Sequence, residues 1–142
     1  MVSDLLVGKK IYVDTNVWIY ALEAPHLFPN LQAAFVSPLQ SGDLEAVCSW
    51  ITLAEVLVKP IQNADLTLET YYRRLIHPSV CSMVDVDEQI AAAAATLRAE
   101  HGIRLPDAIH IATGQASGCD YFLTSDANWA KFGLPVIDAA NL

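Results

Sequence analysis

The sequence predicts an α/β fold: a three-layer α/β/α sandwich around a central, mostly parallel sheet of about five short strands. Three observations carry this reading. Short apolar runs alternate with helix-like segments along the whole chain. Runs such as Ile11-Tyr12-Val13 and Tyr121-Phe122-Leu123 are apolar throughout, which suits strands covered on both faces. Right-handed crossovers then place helices on both sides of the sheet. The length of 142 residues fits one domain spanning 1–142, large enough to hold a full core.

The elements follow in order. Lys10–Asp14 reads as a buried strand and Asn16–Glu23 as a short helix broken by Pro25–Pro29. Leu31–Ser41 is expected to be helical, with Gly42 as its stop. Leu44–Ser49 is a strand, and Thr52–Val58 a helix ended by Pro60. Leu66–Ile76 is helical and Val80–Val86 a strand. Glu88–His101 is an Ala-rich helix closed by Gly102. Pro106–Ser117 is a helix with proline near its start and Gly118 after its end. Asp120–Thr124 is a strand, Asn128–Phe132 a helical turn and Pro135–Ile137 a last strand.

Composition excludes several classes. With 54% hydrophobic and 17% charged residues the chain is not disordered. Its longest apolar stretch, Ile90–Leu97, contains Thr96 and falls short of the ~20 residues a membrane span needs. The N-terminus Met1-Val2-Ser3-Asp4 has no leader-like apolar run, so a cytoplasmic protein is expected. The net charge of −8 argues against passive adhesion to nucleic acid and suits a cation-collecting site or a basic protein partner. Cys48, Cys81 and Cys119 lie among apolar residues without CxxC spacing and read as small buried hydrophobes. No GxxxxGK[ST] loop is present, which argues against nucleotide hydrolysis of that type.

Sites in parallel sheets lie outside the carboxyl ends of the strands. Four acids stand at such junctions. Asp14 follows Ile11-Tyr12-Val13, Glu55 follows the second strand, Asp107 opens the helix that leads into the fourth strand, and Asp126 follows that strand. Singly, each also has a local reading. Asp14 or Thr15 could cap the next helix, and Thr52-Leu53-Ala54-Glu55 has the form of a capping box. Asp107 would gain from the helix dipole, and Asp126 or Ser125 is an ordinary N-cap. Jointly they say more, because parallel strands share one exit edge and the four are expected to converge. Clustered carboxylates repel unless protonated or neutralised by metal. Oxygen-only ligands suit Mg²⁺ or Mn²⁺.

Four segments carry a resemblance to a known family: Ile11-Tyr12-Val13-Asp14-Thr15-Asn16-Val17, Leu53-Ala54-Glu55-Val56, Leu105-Pro106-Asp107-Ala108-Ile109-His110-Ile111-Ala112 and Phe122-Leu123-Thr124-Ser125-Asp126. In order, spacing and apolar context the chain resembles the PIN domain, and within it the VapC-like ribonuclease toxins of type II toxin–antitoxin pairs. The resemblance covers nearly the whole chain. It implies a PIN-like sandwich and a Mg²⁺- or Mn²⁺-dependent endoribonuclease that hydrolyses RNA phosphodiester bonds. It makes Asp14, Glu55, Asp107 and Asp126 the catalytic and metal-binding quartet, with Thr15, Asn16 and Thr124 in support. It further implies an RNA substrate, a cognate antitoxin with a basic segment, and a homodimer.

Lys59, one turn after Glu55, departs from the small residue common in VapC relatives, and a surface pair with Glu55 is expected in preference to a phosphate contact. Arg73 and Arg74 beside Tyr71 and Tyr72 could grip single-stranded RNA, but read first as a solvated helix face. Arg104, shortly before Asp107, is a second candidate for substrate phosphate. Trp18, Trp50 and Trp129 lie near the acidic junctions and read as core or rim packing. His110 is expected to be a packed or hydrogen-bonded histidine, since Mg²⁺ has little use for imidazole.

Other functions compete less well. A flap-endonuclease-like DNA nuclease would need an added basic clamp, for which 142 residues leave no room. A haloacid-dehalogenase-type phosphatase wants Asp where Asn16 stands. The alternative retained is a non-catalytic PIN-type module that binds RNA or protein, which loss of a quartet acid would favour, yet all four are present.

Overall fold

The computed structural model describes residues 5–142; Met1 to Asp4, read above for a leader, lie outside the described residues. Five strands form one parallel sheet in the order β3-β2-β1-β4-β5. They are β1 (Lys10–Val13), β2 (Glu45–Ser49), β3 (Ser82–Val84), β4 (Tyr121–Thr124) and β5 (Val136–Asp138). β1 pairs with β4, β4 with β5 and β2 with β3, all in parallel register. The helices are α1 (Thr15–Glu23), α2 (Ser37–Gln40), α3 (Trp50–Gln62), α4 (Leu66–Leu75), α5 (Glu88–His101) and α6 (Leu105–Ala116). None of the described helices is long and apolar enough to cross a membrane.

The chain groups into two compact units. One comprises residues up to Ala46 together with Cys119–Leu142, and the other Val47–Gly118. In the first unit, Ile11, Tyr12 and Val13 are fully buried, which accounts for the unbroken apolar run of β1. Tyr12 and Phe122 face each other across β1 and β4 with ring centroids 5.8 Å apart, and Trp129 meets Phe122 edge-on at 6.2 Å. Trp18 packs edge-on against Phe35 at 5.1 Å. Trp18 and Trp129 are therefore core residues, while Trp50 stays partly exposed, as rim packing requires.

In the second unit, α5 and α6 pack through small side chains. Ile90 and Ala94 meet Ala108 and Ala112, with Val84, Leu97, Ile103 and Ile109 around them. The Ala-rich face of α5 thus lets a second helix approach closely. Asp87 caps α5 by accepting from the Ile90 N–H at 2.8 Å. Gly102 ends it in the left-handed region at φ 66°, where a side chain would be strained.

Three elements differ from the sequence expectation. The expected helix Leu31–Ser41 is a π-helical turn, Gln32–Val36, running into the short α2. Pro38 has no N–H to continue the ladder, and the preceding turn widens so that the Ser37 N–H bonds the Gln32 carbonyl. Secondly, α3 starts at Trp50 and runs through Pro60 to Gln62. Ser49 takes the cap by accepting from the Ile51 N–H at 3.3 Å. Near the C-terminal end of the helix Pro60 costs little, and its carbonyl still accepts from the Asp65 N–H at 2.9 Å. The capping box read at Thr52 and Glu55 is therefore wrong: Glu55 lies inside the helix. Thirdly, β3 is shorter than Val80–Val86, because the N–H groups of Val80 and Cys81 both turn back to the His77 carbonyl.

Cys48 and Cys81 are buried thiols outside any disulfide, as the apolar context implied. Cys119 is half-buried, and burial pushes its thiol up to about 12.

Candidate functional site

In the first unit the site is built where β1 and β4 end side by side. Val13 pairs with Leu123 in the parallel register, and the Asp14 N–H continues the ladder to the Leu123 carbonyl at 3.0 Å. Asp14 then stands at the N-cap position of α1 in an extended conformation, yet its side chain makes no cap bond. Its carboxylate, 4% exposed, turns instead to β4, where Thr124 donates its hydroxyl to Oδ2 at 2.8 Å. The same hydroxyl oxygen accepts from the Asp126 N–H at 3.0 Å. One buried threonine thus ties two acids of the set together, one through its side chain and one through its backbone.

Asp126 has the role that its local reading gave it. Its Oδ1 accepts from the Asn128 N–H at 2.9 Å and caps the 3₁₀ turn Ala127–Phe132. It remains half-buried. Thr15 is buried in the first turn of α1, and Asn16 beside it is exposed. A carboxylate as buried as Asp14 is costly to hold ionised, and hydrogen-bond donation by Thr124 offsets part of that cost.

In the second unit Glu55 projects from the middle of α3 with about a third of its side chain exposed. Its Oε1 lies 2.7 Å from Nε2 of His110 on α6, and His110 is 1% exposed. Sequence reasoning gave His110 as packed or hydrogen-bonded and missed its partner. The available signal was its spacing one turn after Asp107, which puts both on one face of α6. The expected pair of Glu55 with Lys59 is replaced by this contact, and Lys59 stays exposed in the last turn of α3, where a cation suits the helix dipole.

Asp107 lies in the first turn of α6, after a proline suited to the helix start. Arg104 Nε donates to its Oδ2 at 3.3 Å, so this guanidinium lies beside an acid of the set. Arg73 is engaged by Glu69 one turn away at 3.0 Å, and Tyr72 is fully buried, as on a solvated helix with an anchored aromatic. Among the described residues no group of three or more His, Cys, Asp and Glu side chains stands close enough to hold a metal ion by itself.

The structure therefore links Asp14, Thr124 and Asp126 to one another, and links Glu55 to the helix that carries Asp107. A parallel-sheet α/β protein with acids at its strand exits and helix starts is the class these features define. The model of the PIN domain matches residues 11–134, and the chain belongs to the PIN-domain family. No curated protein matches the sequence. Solved structures share the fold at low identity. A chain of a toxin–antitoxin complex from Klebsiella pneumoniae superimposes with a TM-score of 0.71 at 24% identity, over 93% of this chain and 99% of that one. VapC20 of Mycobacterium tuberculosis, described as a toxin that cleaves the sarcin–ricin loop, gives 0.68 at 18% identity over 87% and 95%. A chain of FitAcB from Neisseria gonorrhoeae gives 0.65 at 23% over 93% and 99%.

Proposed function

We propose that this PIN-domain protein is a Mg²⁺- or Mn²⁺-dependent endoribonuclease, the toxin of a toxin–antitoxin pair. In this reading Asp14, Glu55, Asp107 and Asp126 are the carboxylates on which activity depends. The observation that carries it is Asp14. A buried carboxylate at a strand exit is costly, and its side chain does no capping for α1. That placement supports a role for Asp14 in chemistry at the strand end. The toxin–antitoxin complexes among the structural neighbours support the partner class.

The donor chemistry fits a hard divalent cation. The candidate ligands are carboxylate oxygens, and the imidazole of His110 is turned to Glu55. Mg²⁺ keeps several waters and is commonly held by one or two carboxylates plus substrate phosphate, so it needs no closed protein cage. Asp14 and Asp126 are the candidate metal-holding acids of the first unit, and Glu55 and Asp107 those of the second. A bound ion supplies polarisation of the phosphoryl oxygen and a water of lowered pKa. Thr124 holds Asp14 through Oδ2, while Thr15 and Asn16 open α1 directly after it. Arg104 and Lys59 are exposed cations on the helices that carry Asp107 and Glu55, and Arg104, beside Asp107, could reach a substrate phosphate.

The net charge of −8 favours a basic antitoxin segment, whose arginines could pair bidentately with the carboxylates. A homodimer in the cytoplasm completes the reading. It is tested by Mn²⁺-dependent thermal stabilisation of the purified protein. A ligand at 100 times its Kd adds about 2.7 kcal/mol to the native state. Millimolar Mn²⁺ should raise Tm by several degrees, and less in Asp14→Asn. A melting curve indifferent to the ion in both proteins would leave the non-catalytic binding module as the better reading.

A further inference from the structure

We propose that His110 is a positioning residue for Glu55, fixing which carboxylate oxygen that acid presents to the ion and substrate; the inference rests on the nuclease reading above. Glu55 needs such a device more than Asp14 does. Its side chain has one more rotatable bond, it projects from mid-helix, and about a third of it is exposed. A glutamate side chain in such a position has more rotamers open to it than an aspartate. His110 is 1% exposed, so packing on α6 leaves its ring little freedom. An ionised carboxylate only accepts, so Nε2–H of His110 donates to Oε1, at 2.7 Å. A buried donor thus holds one oxygen of a longer, more exposed acceptor.

The same helix carries Asp107 one turn earlier, on the same face. α6 therefore contributes one acid of the proposed set directly and orients a second through His110. Outer partners of this kind, when removed, cost roughly 10–100-fold in metal affinity or activity.

The experiment is Mn²⁺ binding followed by electron paramagnetic resonance on the full chain. The variants are His110→Met, His110→Gln, Glu55→Gln and the double variant His110→Met/Glu55→Gln. Met and Gln are of nearly equal length, but only Gln keeps a donor. His110→Met should weaken Mn²⁺ binding roughly 10–100-fold, while His110→Gln should retain most of it. In the Glu55→Gln background the Met substitution should add nothing, because the two act through one contact. Wild-type affinity in His110→Met, with binding weakened in Glu55→Gln, overturns the positioning role alone. An additive double variant overturns it too. A wild-type protein that binds no Mn²⁺ overturns both this inference and the nuclease reading. Should His110→Met fail to fold, the low-field Nε2–H proton of His110 reads the contact in the unsubstituted ring. That signal should move upfield in Glu55→Leu, and an unmoved signal contradicts the inference.

Discussion

Thr124 donates its hydroxyl to Oδ2 of Asp14 at 2.8 Å, with both side chains buried and the two residues 110 positions apart in the sequence. The parallel pairing of β1 with β4 makes the contact possible, since it brings the two strand exits side by side. The hydroxyl also accepts from the Asp126 N–H, so this buried group both gives and accepts.

This contact should be visible in stability. Thr124→Val keeps the shape and removes the hydroxyl, so the buried Asp14 carboxylate loses a donor. The expected cost is about 1–3 kcal/mol, read by urea denaturation. Thr124→Ser should recover most of it. In a double-mutant cycle with Asp14→Asn the coupling should reach at least about 0.5 kcal/mol. Strict additivity would mean that the pair contributes nothing beyond its parts.

Asp126 combines a structural and a proposed catalytic task, and two substitutions separate them. Asn caps about as well as Asp, so Asp126→Asn should melt close to wild type while losing RNA cleavage. Asp126→Ala should lose the cap at Asn128 as well, at a cost of about 0.5–2 kcal/mol. Full nuclease activity in a folded Asp126→Asn protein would remove Asp126 from the set.

Cys119 sets a pH dependence of a different kind. Its thiol is pushed from 9.0 to about 12, mainly by burial, with Lys10 opposing and Glu45 and Asp120 reinforcing. Iodoacetamide should therefore alkylate it more slowly in the folded protein than in urea at pH 8.5, because the thiolate is the nucleophile. The sign for stability follows from proton binding. Above pH 9.0 the unfolded chain releases this proton while the folded chain holds it up to about 12. Stability should thus fall as pH rises through that window and be unaffected by this group below it. Cys119→Ala should flatten the alkaline loss.

Much of the fold is legible in the sequence because hydrophobic runs and helix stops are local. β1, β4, α5 and α6 all stand within one or two residues of where the apolar pattern and the Gly and Pro signals put them. Errors arose where two local signals competed. Ser49 and Thr52 can both start a helix, and only the end of β2 shows that Ser49 does. Pro60 reads as a stop, but near a C-terminus it interrupts little. At the site, residue types and spacing expose the acids, while the choice between a cap and a site depends on where a side chain turns. Asp14 turns away from α1 and Asp126 turns into its own cap, a distinction no spacing encodes. The bond between His110 and Glu55 is likewise a tertiary fact, since they stand 55 positions apart.

The central claim is metal-dependent hydrolysis of RNA, and end analysis of cleaved RNA tests it most directly. Structured RNA incubated with the purified protein and Mn²⁺ should yield 5′-phosphate and 3′-hydroxyl ends, and EDTA or Asp14→Ala should abolish the cleavage. A substrate with a 2′-deoxy group at the scissile nucleotide should still be cut, because water rather than the 2′-hydroxyl attacks phosphorus. Cleavage that persists in EDTA and leaves a 2′,3′-cyclic phosphate would contradict the account and point to a side-chain general base in place of the four carboxylates.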